Sequence, residues 1–126
     1  MAFSAIYDRK TFGPGTLLIR PGEPAHHAYL VQSGRARVFA VVGGEQVDLA
    51  EVGAGEIVGD MALIRKSRHH YGVEATETLI AVVVSVPHIQ DLLDRADPLL
   101  RTILRGLVDR VDRLNQEKSP DEVWFV

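Results

Sequence analysis

Gly59-Asp60-Met61-Ala62-Leu63 and, a few residues on, Arg65-Lys66-Ser67-Arg68-His69-His70-Tyr71 form the stretch on which the reading of this chain turns. A glycine and a carboxylate followed by small or apolar residues can open a short helix. The first backbone N–H groups of such a helix have no partner within it and make a ready anion site. Basic side chains arriving just afterwards can supply counter-charge, and the Asp60 carboxylate can accept hydrogen bonds from sugar hydroxyls. Together these features suggest a pocket for a ribose-phosphate. Arg65, Lys66 and Arg68 suit a plain solvated loop equally well. Side chains alternate across a strand, so Arg68 and His69 cannot both point inward unless the strand bulges.

Outward from this stretch the chain reads as short strands. Thr16–Arg20, Ala28–Gln32, Arg35–Val42, Gln46–Val52 and Leu79–Val86 are rich in Val, Ile, Leu and Tyr. Pro21-Gly22, Ser33-Gly34, Gly43-Gly44 and Gly53-Ala54-Gly55 separate them where the chain must reverse. Gly43-Gly44 between two alternating runs predicts a hairpin. Many short strands with regular glycine turns predict a mainly β fold, a jelly-roll barrel over about residues 12–86.

Beyond Pro87 the periodicity becomes helical. A short helix is expected over His88 to Asp94, and a longer one from Asp97-Pro98 to about Lys118, with Asp97 as N-cap and Pro98 at the first helical position. Ser119-Pro120 ends it, leaving a tail over 119–126. Leu100, Leu104, Leu107, Val111 and Leu114 are spaced four, three, four and three, a heptad seam. Either a second copy of the chain or the barrel itself can cover that seam, and a homodimer through this helix is the expectation. Arg105 with Asp109, and Asp109 with Arg113, are opposite charges four apart on its solvated flank. Gly106 lies inside the helix, either for close approach of another backbone or without a packing role.

Composition bounds the function. A chain of 126 residues can bury a core as a single domain over 1–126, and with no cysteine it has neither a disulfide framework nor a thiolate zinc site. The formal charge of −3 argues against a dedicated nucleic-acid binder. Met1 to Lys10 lacks the apolar run of a signal peptide, and Leu79 to Val86 is far too short to span a bilayer. A cytoplasmic protein with neither membrane nor nucleic-acid partner is expected.

On these residues the chain resembles a cyclic nucleotide-binding domain, the barrel module of catabolite activator proteins, kinase regulatory subunits and gated channels. The resemblance begins at Phe12-Gly13-Pro14-Gly15 and passes through Gly22-Glu23-Pro24 and Ala28 to Val38. It ends with the phosphate-binding cassette around Gly59 to Val73 and the helices beyond, and covers roughly 100 residues. It implies an eight-stranded jelly roll whose last helix often dimerises. It further implies that Gly59 lets the ligand approach the backbone, and that the N–H groups of Met61, Ala62 and Leu63 face a cyclic phosphate. Asp60 stands where the family usually has Glu for the ribose hydroxyl, one methylene shorter. His69 stands where the family has its phosphate-binding Arg, Arg68 where a Pro often precedes it, His70 and Tyr71 where residues are usually small, and Gly72 where Thr is common. Histidine offers no permanent bidentate fork, and losing one charged hydrogen bond of about 1.5–3 kcal/mol weakens binding about 10- to 100-fold. Trp124 or Phe125 in the tail is implied as a lid over the base, the alternative being that both pack on the barrel or fray.

The expected function is therefore a non-enzymatic sensor or regulatory domain that binds cAMP or cGMP weakly if at all, through Gly59, Asp60, Met61, Ala62, Leu63, Arg68, His69, His70 and Tyr71. No further cofactor is implied, and the protein partner that reads the output is unknown. The alternative is a ligand-free barrel serving dimerisation or protein interaction. No helix-turn-helix follows the last helix in this sequence, so direct transcriptional control is not expected. A remoter alternative is a cupin-like metal enzyme using His26, His27, His69 or His70, but adjacent histidines on a strand point apart and no metal site is expected. No nucleophile elbow, Walker loop or His-Glu-x-x-His pattern is present.

Overall fold

The computed structural model describes residues 7–116. Eight strands form two four-stranded antiparallel sheets. One sheet holds β1 (Arg9–Phe12), β8 (Leu79–Ser85), β3 (His27–Ser33) and β6 (Ile57–Val58), in that order. The other holds β2 (Leu17–Ile19), β7 (Gly72–Ala75), β4 (Ala36–Val42) and β5 (Glu45–Val52). Chain neighbours β1 and β2, and likewise β3 and β4, lie in different sheets, which is the jelly-roll pattern the glycine turns predict. Between the sheets Phe12, Leu18, Ile19, Tyr29, Val31, Val38, Val58, Val73 and Leu79 form the core.

The turn chemistry works as expected at the β4–β5 hairpin. Val42 pairs with Glu45, and Gly43 and Gly44 both have positive φ (60° and 83°), as a two-residue primed turn requires. Gly34 is fixed by closeness as well: a Cβ there would lie 2.3 Å from the Thr78 carbonyl oxygen.

Three strands had no sequence signal. β1 starts the barrel at Arg9, earlier than residue 12, and pairs Arg9–Phe12 with Val82–Leu79. β6 has two residues and β7 four, too few for a periodicity.

Helix α2 spans Val86–Arg95, longer at both ends than expected, because Ser85 caps it by accepting the His88 N–H at 3.4 Å. Helix α3 spans Pro98–Gln116, with the Asp97 carboxylate accepting the Leu99 N–H at 2.8 Å. The heptad seam is divided. Val108 is buried and Leu104 and Val111 are partly buried, whereas Leu100, Ile103, Leu107 and Leu114 are 42–48% exposed and Leu99 67% exposed. The physical reason is docking: the helix lays the face of Leu104, Val108 and Val111 inward, and the column Leu100, Leu107 and Leu114, a different set of heptad positions, stays outside. Apart from its chain neighbours and the adjoining backbone of its own helix, no described atom lies within 4 Å of a Cβ built on Gly106. Trp124 and Phe125 lie outside the described residues, as does the tail as a whole.

Candidate functional site

The cassette helix α1 (Asp60–Arg65) follows β6 directly. Gly59 precedes it at φ 83°, a conformation that favours glycine, and Lys66 closes it at φ 58°. Met61, Ala62 and Leu63 are buried, which holds this short helix against the body and fixes the direction of its first N–H groups. Burial raises the Asp60 carboxyl above the usual carboxylate range, while hydrogen bonds from the N–H groups of Asp60 and Met61 pull the other way. The Asp60 carboxylate thus sits at the opening of its own helix.

The returning segment pairs with the turn after β2. The Gly22 N–H donates to the His69 carbonyl at 2.8 Å, the His69 N–H to the Glu23 carbonyl at 2.9 Å, and the Ala25 N–H to the Ser67 carbonyl at 3.2 Å. This extended pairing sets alternate side chains on opposite faces. Arg68 is exposed and its guanidinium donates to the Gly22 carbonyl at 2.9 Å. His69 is 7% exposed, the sole buried polar residue among those described. Its ring closes on the cassette: Cε1 lies 3.1 Å from where a Cβ on Gly59 would stand, with Ile19 Cδ1 at 2.8 Å and the His27 carbonyl oxygen at 3.3 Å. A substituent on Gly59 would fill this cradle. Burial lowers the His69 pKa below the ordinary histidine value, so the ring is mainly neutral at pH 7.

The other expected ligand residues divide. His70 is exposed, with Nε2 3.4 Å from Arg65 Nη1. Tyr71 is partly buried and packs against the core. Arg68, a residue expected in the ligand set, is turned outward by the alternation of this extended segment, on the face opposite His69. Arg65 is also committed elsewhere: its Nε lies 3.1 Å from the Asp112 carboxylate on α3, both side chains about a quarter exposed (24% and 23%). This long-range pair had no sequence signal, since the expected partners on α3 were its own residues four apart. Gly72 lies opposite Phe39 in the β4–β7 register, and a Cβ there would come within 2.2 Å of the ring. Among the described residues no three His, Asp or Glu side chains converge to hold a metal, and no helix is long and apolar enough to cross a membrane.

A barrel of two antiparallel sheets, a short helix opened by a left-handed glycine and a return strand carrying a buried basic side chain are thus found together. The profile of the "Cyclic nucleotide-binding domain" family matches residues 9–96. The chain belongs to this family. Its relatives include the cyclic AMP receptor protein of Thermus thermophilus, 34% identical over 132 residues, with 96% of this chain and 60% of the relative covered. A cAMP-dependent protein kinase regulatory subunit of Hypocrea atroviridis is 32% identical over 98 residues, covering 78% of this chain and 20% of that one. Among solved structures, the cAMP-bound form of the EAL enzyme Bd1971 is similar at a TM-score of 0.78 and 25% identity, covering 86% of this domain and 29% of the enzyme. The domain therefore spans a fifth to three-fifths of these curated relatives. The family is regulatory, and in the cAMP-bound enzyme structure the match covers 29% of the enzyme chain.

Proposed function

We propose that this domain is a sensor that binds a cyclic nucleotide such as cAMP or cGMP with reduced affinity. The phosphate meets the N–H groups that open α1, Asp60 faces the ribose, and His69 takes the position of the family's arginine. The observation that carries this reading is the His69 ring, buried against Gly59 at the start of the cassette helix. Ligand at the start of α1 biases α3 through the Arg65–Asp112 pair, a shift between populated states rather than chemistry.

Calorimetric titration with cAMP and with cGMP tests the reading. Binding is expected to be about 10- to 100-fold weaker than in the His69→Arg variant, which restores one charged hydrogen bond. Absence of heat and of thermal shift at millimolar ligand in both proteins would sink it.

A second reading, self-association, is favoured by the exposed stripe Leu100, Ile103, Leu107 and Leu114 on α3. These residues keep heptad spacing on one face, and a second copy offers the same stripe for antiparallel or parallel pairing. Equilibrium sedimentation is expected to give a dimer that Leu107→Glu dissociates. A wild-type monomer at high concentration would exclude it.

A further inference from the structure

We propose that capture of a phosphate anion at this cassette is coupled to uptake of a proton by His69, so that the domain binds its ligand better in mild acid than at neutral pH. The inference rests on the reading of the cassette as a cyclic-phosphate site and adds a condition to it.

Of Arg65, Arg68 and His69, only His69 has its side chain against Gly59. Arg68, its neighbour in sequence, is turned outward onto the Gly22 carbonyl, and Arg65 is paired with Asp112 on α3. The carbon of the His69 ring nearest Gly59 is Cε1, the atom bonded to both ring nitrogens. Both ring nitrogens are thus one bond from the carbon that faces Gly59, and no hydrogen bond to either is found among the described residues. A neutral imidazole donates one hydrogen bond and carries no charge, whereas imidazolium donates from both nitrogens and pairs with an anion. The proton comes from solvent and adds to the free ring nitrogen, and no covalent bond is made or broken.

The surroundings hold the free ring neutral, chiefly through burial. Glu23, on the turn after β2, favours the charged ring, while Arg65 on α1, His26 on the turn before β3 and His70 on the ring's own segment oppose it. Asp60 and Lys66 at the ends of α1, His27 and Tyr29 on β3, Arg20 paired with Glu23, and Arg68 and Tyr71 on the ring's own segment are the other ionisable groups on these elements. An anion bound at Gly59 tips this balance by adding a counter-charge at the ring. The affinity gained on protonation is then fully present below the pKa of the free domain. It falls with rising pH up to the raised pKa of the complex, and above that is flat.

The test is calorimetric titration of the full chain with cAMP from about pH 5 to about pH 8, in two buffers of different ionisation enthalpy, with a thermal melt at each pH to verify the folded state. Affinity is expected to rise by up to about tenfold per pH unit on acidification, with net uptake of up to about one proton per ligand. His69→Arg is expected to bind at least as tightly with a flat profile, and His69→Gln to bind weakly with a flat profile. Equal wild-type affinity across the range with no proton uptake would overturn the proposal, as would a pH dependence that survives in His69→Gln. Binding by His69→Arg with none by wild type at any pH would reject the proton coupling and leave the cassette reading standing. No binding by either protein would reject both.

Discussion

Replacing Gly72 by alanine is expected to destabilise the domain, and shrinking Phe39 in the same chain is expected to return part of the loss. Gly72 and Phe39 are register partners on adjacent strands, and the ring lies across the glycine. A Cβ on Gly72 would come within 2.2 Å of Cζ and 2.6 Å of both Cε atoms, where carbon pairs in contact sit about 3.5–4.0 Å apart. The ring is 4% exposed, so it cannot swing clear without giving up its burial. Gly72 lacks a positive φ, so the cost is steric and not conformational. Overpacking of this kind costs about 1–3 kcal/mol, and the reduced freedom of the unfolded chain returns about 0.4–1 kcal/mol. Phe39→Ala alone should cost about 3–5 kcal/mol through lost burial and the cavity left behind. With the ring gone the new methyl has room, so the double variant should fall short of the summed losses by about 1–3 kcal/mol. Urea unfolding of the four proteins, with unchanged m-values, measures this coupling. Additivity within about 0.5 kcal/mol, or a neutral Gly72→Ala, would refute the packing argument. Threonine, the residue the family resemblance places here, should be worse than alanine.

Asp112→Ala leaves the Arg65 guanidinium, about a quarter exposed (24%), without its partner on α3. A loss of about 1–2 kcal/mol is expected, between that of an exposed and a buried pair, together with faster amide hydrogen exchange along α3. Unchanged exchange would show that Val108 and its neighbours hold the helix by themselves. The pH dependence of stability carries two opposed contributions at the cassette. His69 has a lowered pKa in the folded state, so below the ordinary value of 6.5 the unfolded chain takes the proton first and stability is lost as pH falls. Asp60 has a raised pKa, so it returns stability as pH falls through its folded value toward 3.8. Melts from about pH 8 to about pH 5 should therefore show a smaller loss in His69→Gln than in wild type, and equal slopes would contradict the burial of the ring.

The strands with long apolar runs were legible because burial on one or both faces imposes a composition that a short window can show. β7, Gly72-Val73-Glu74-Ala75, was not, because its identity comes from pairing with β2 and β4 across the chain. The cassette glycine and the short helix were legible from residue type, and strand alternation correctly separated Arg68 from His69. The Arg65–Asp112 pair and the fit of Phe39 to Gly72 join residues more than thirty apart, beyond any local pattern. The heptad seam on α3 was half legible: its period marked the apolar positions, while the split between Val108 inside and Leu107 outside depends on how the helix docks.

Amide chemical-shift mapping of the isotope-labelled chain with cAMP tests the central claim most directly, because it reports where the ligand sits and not only whether it binds. Saturable shifts concentrated at the amides of Gly59 to Leu63 and at His69 are expected, with the His69 ring carbons moving toward their protonated values in mild acid. Shifts confined to other surfaces, or none at millimolar cAMP, would contradict it.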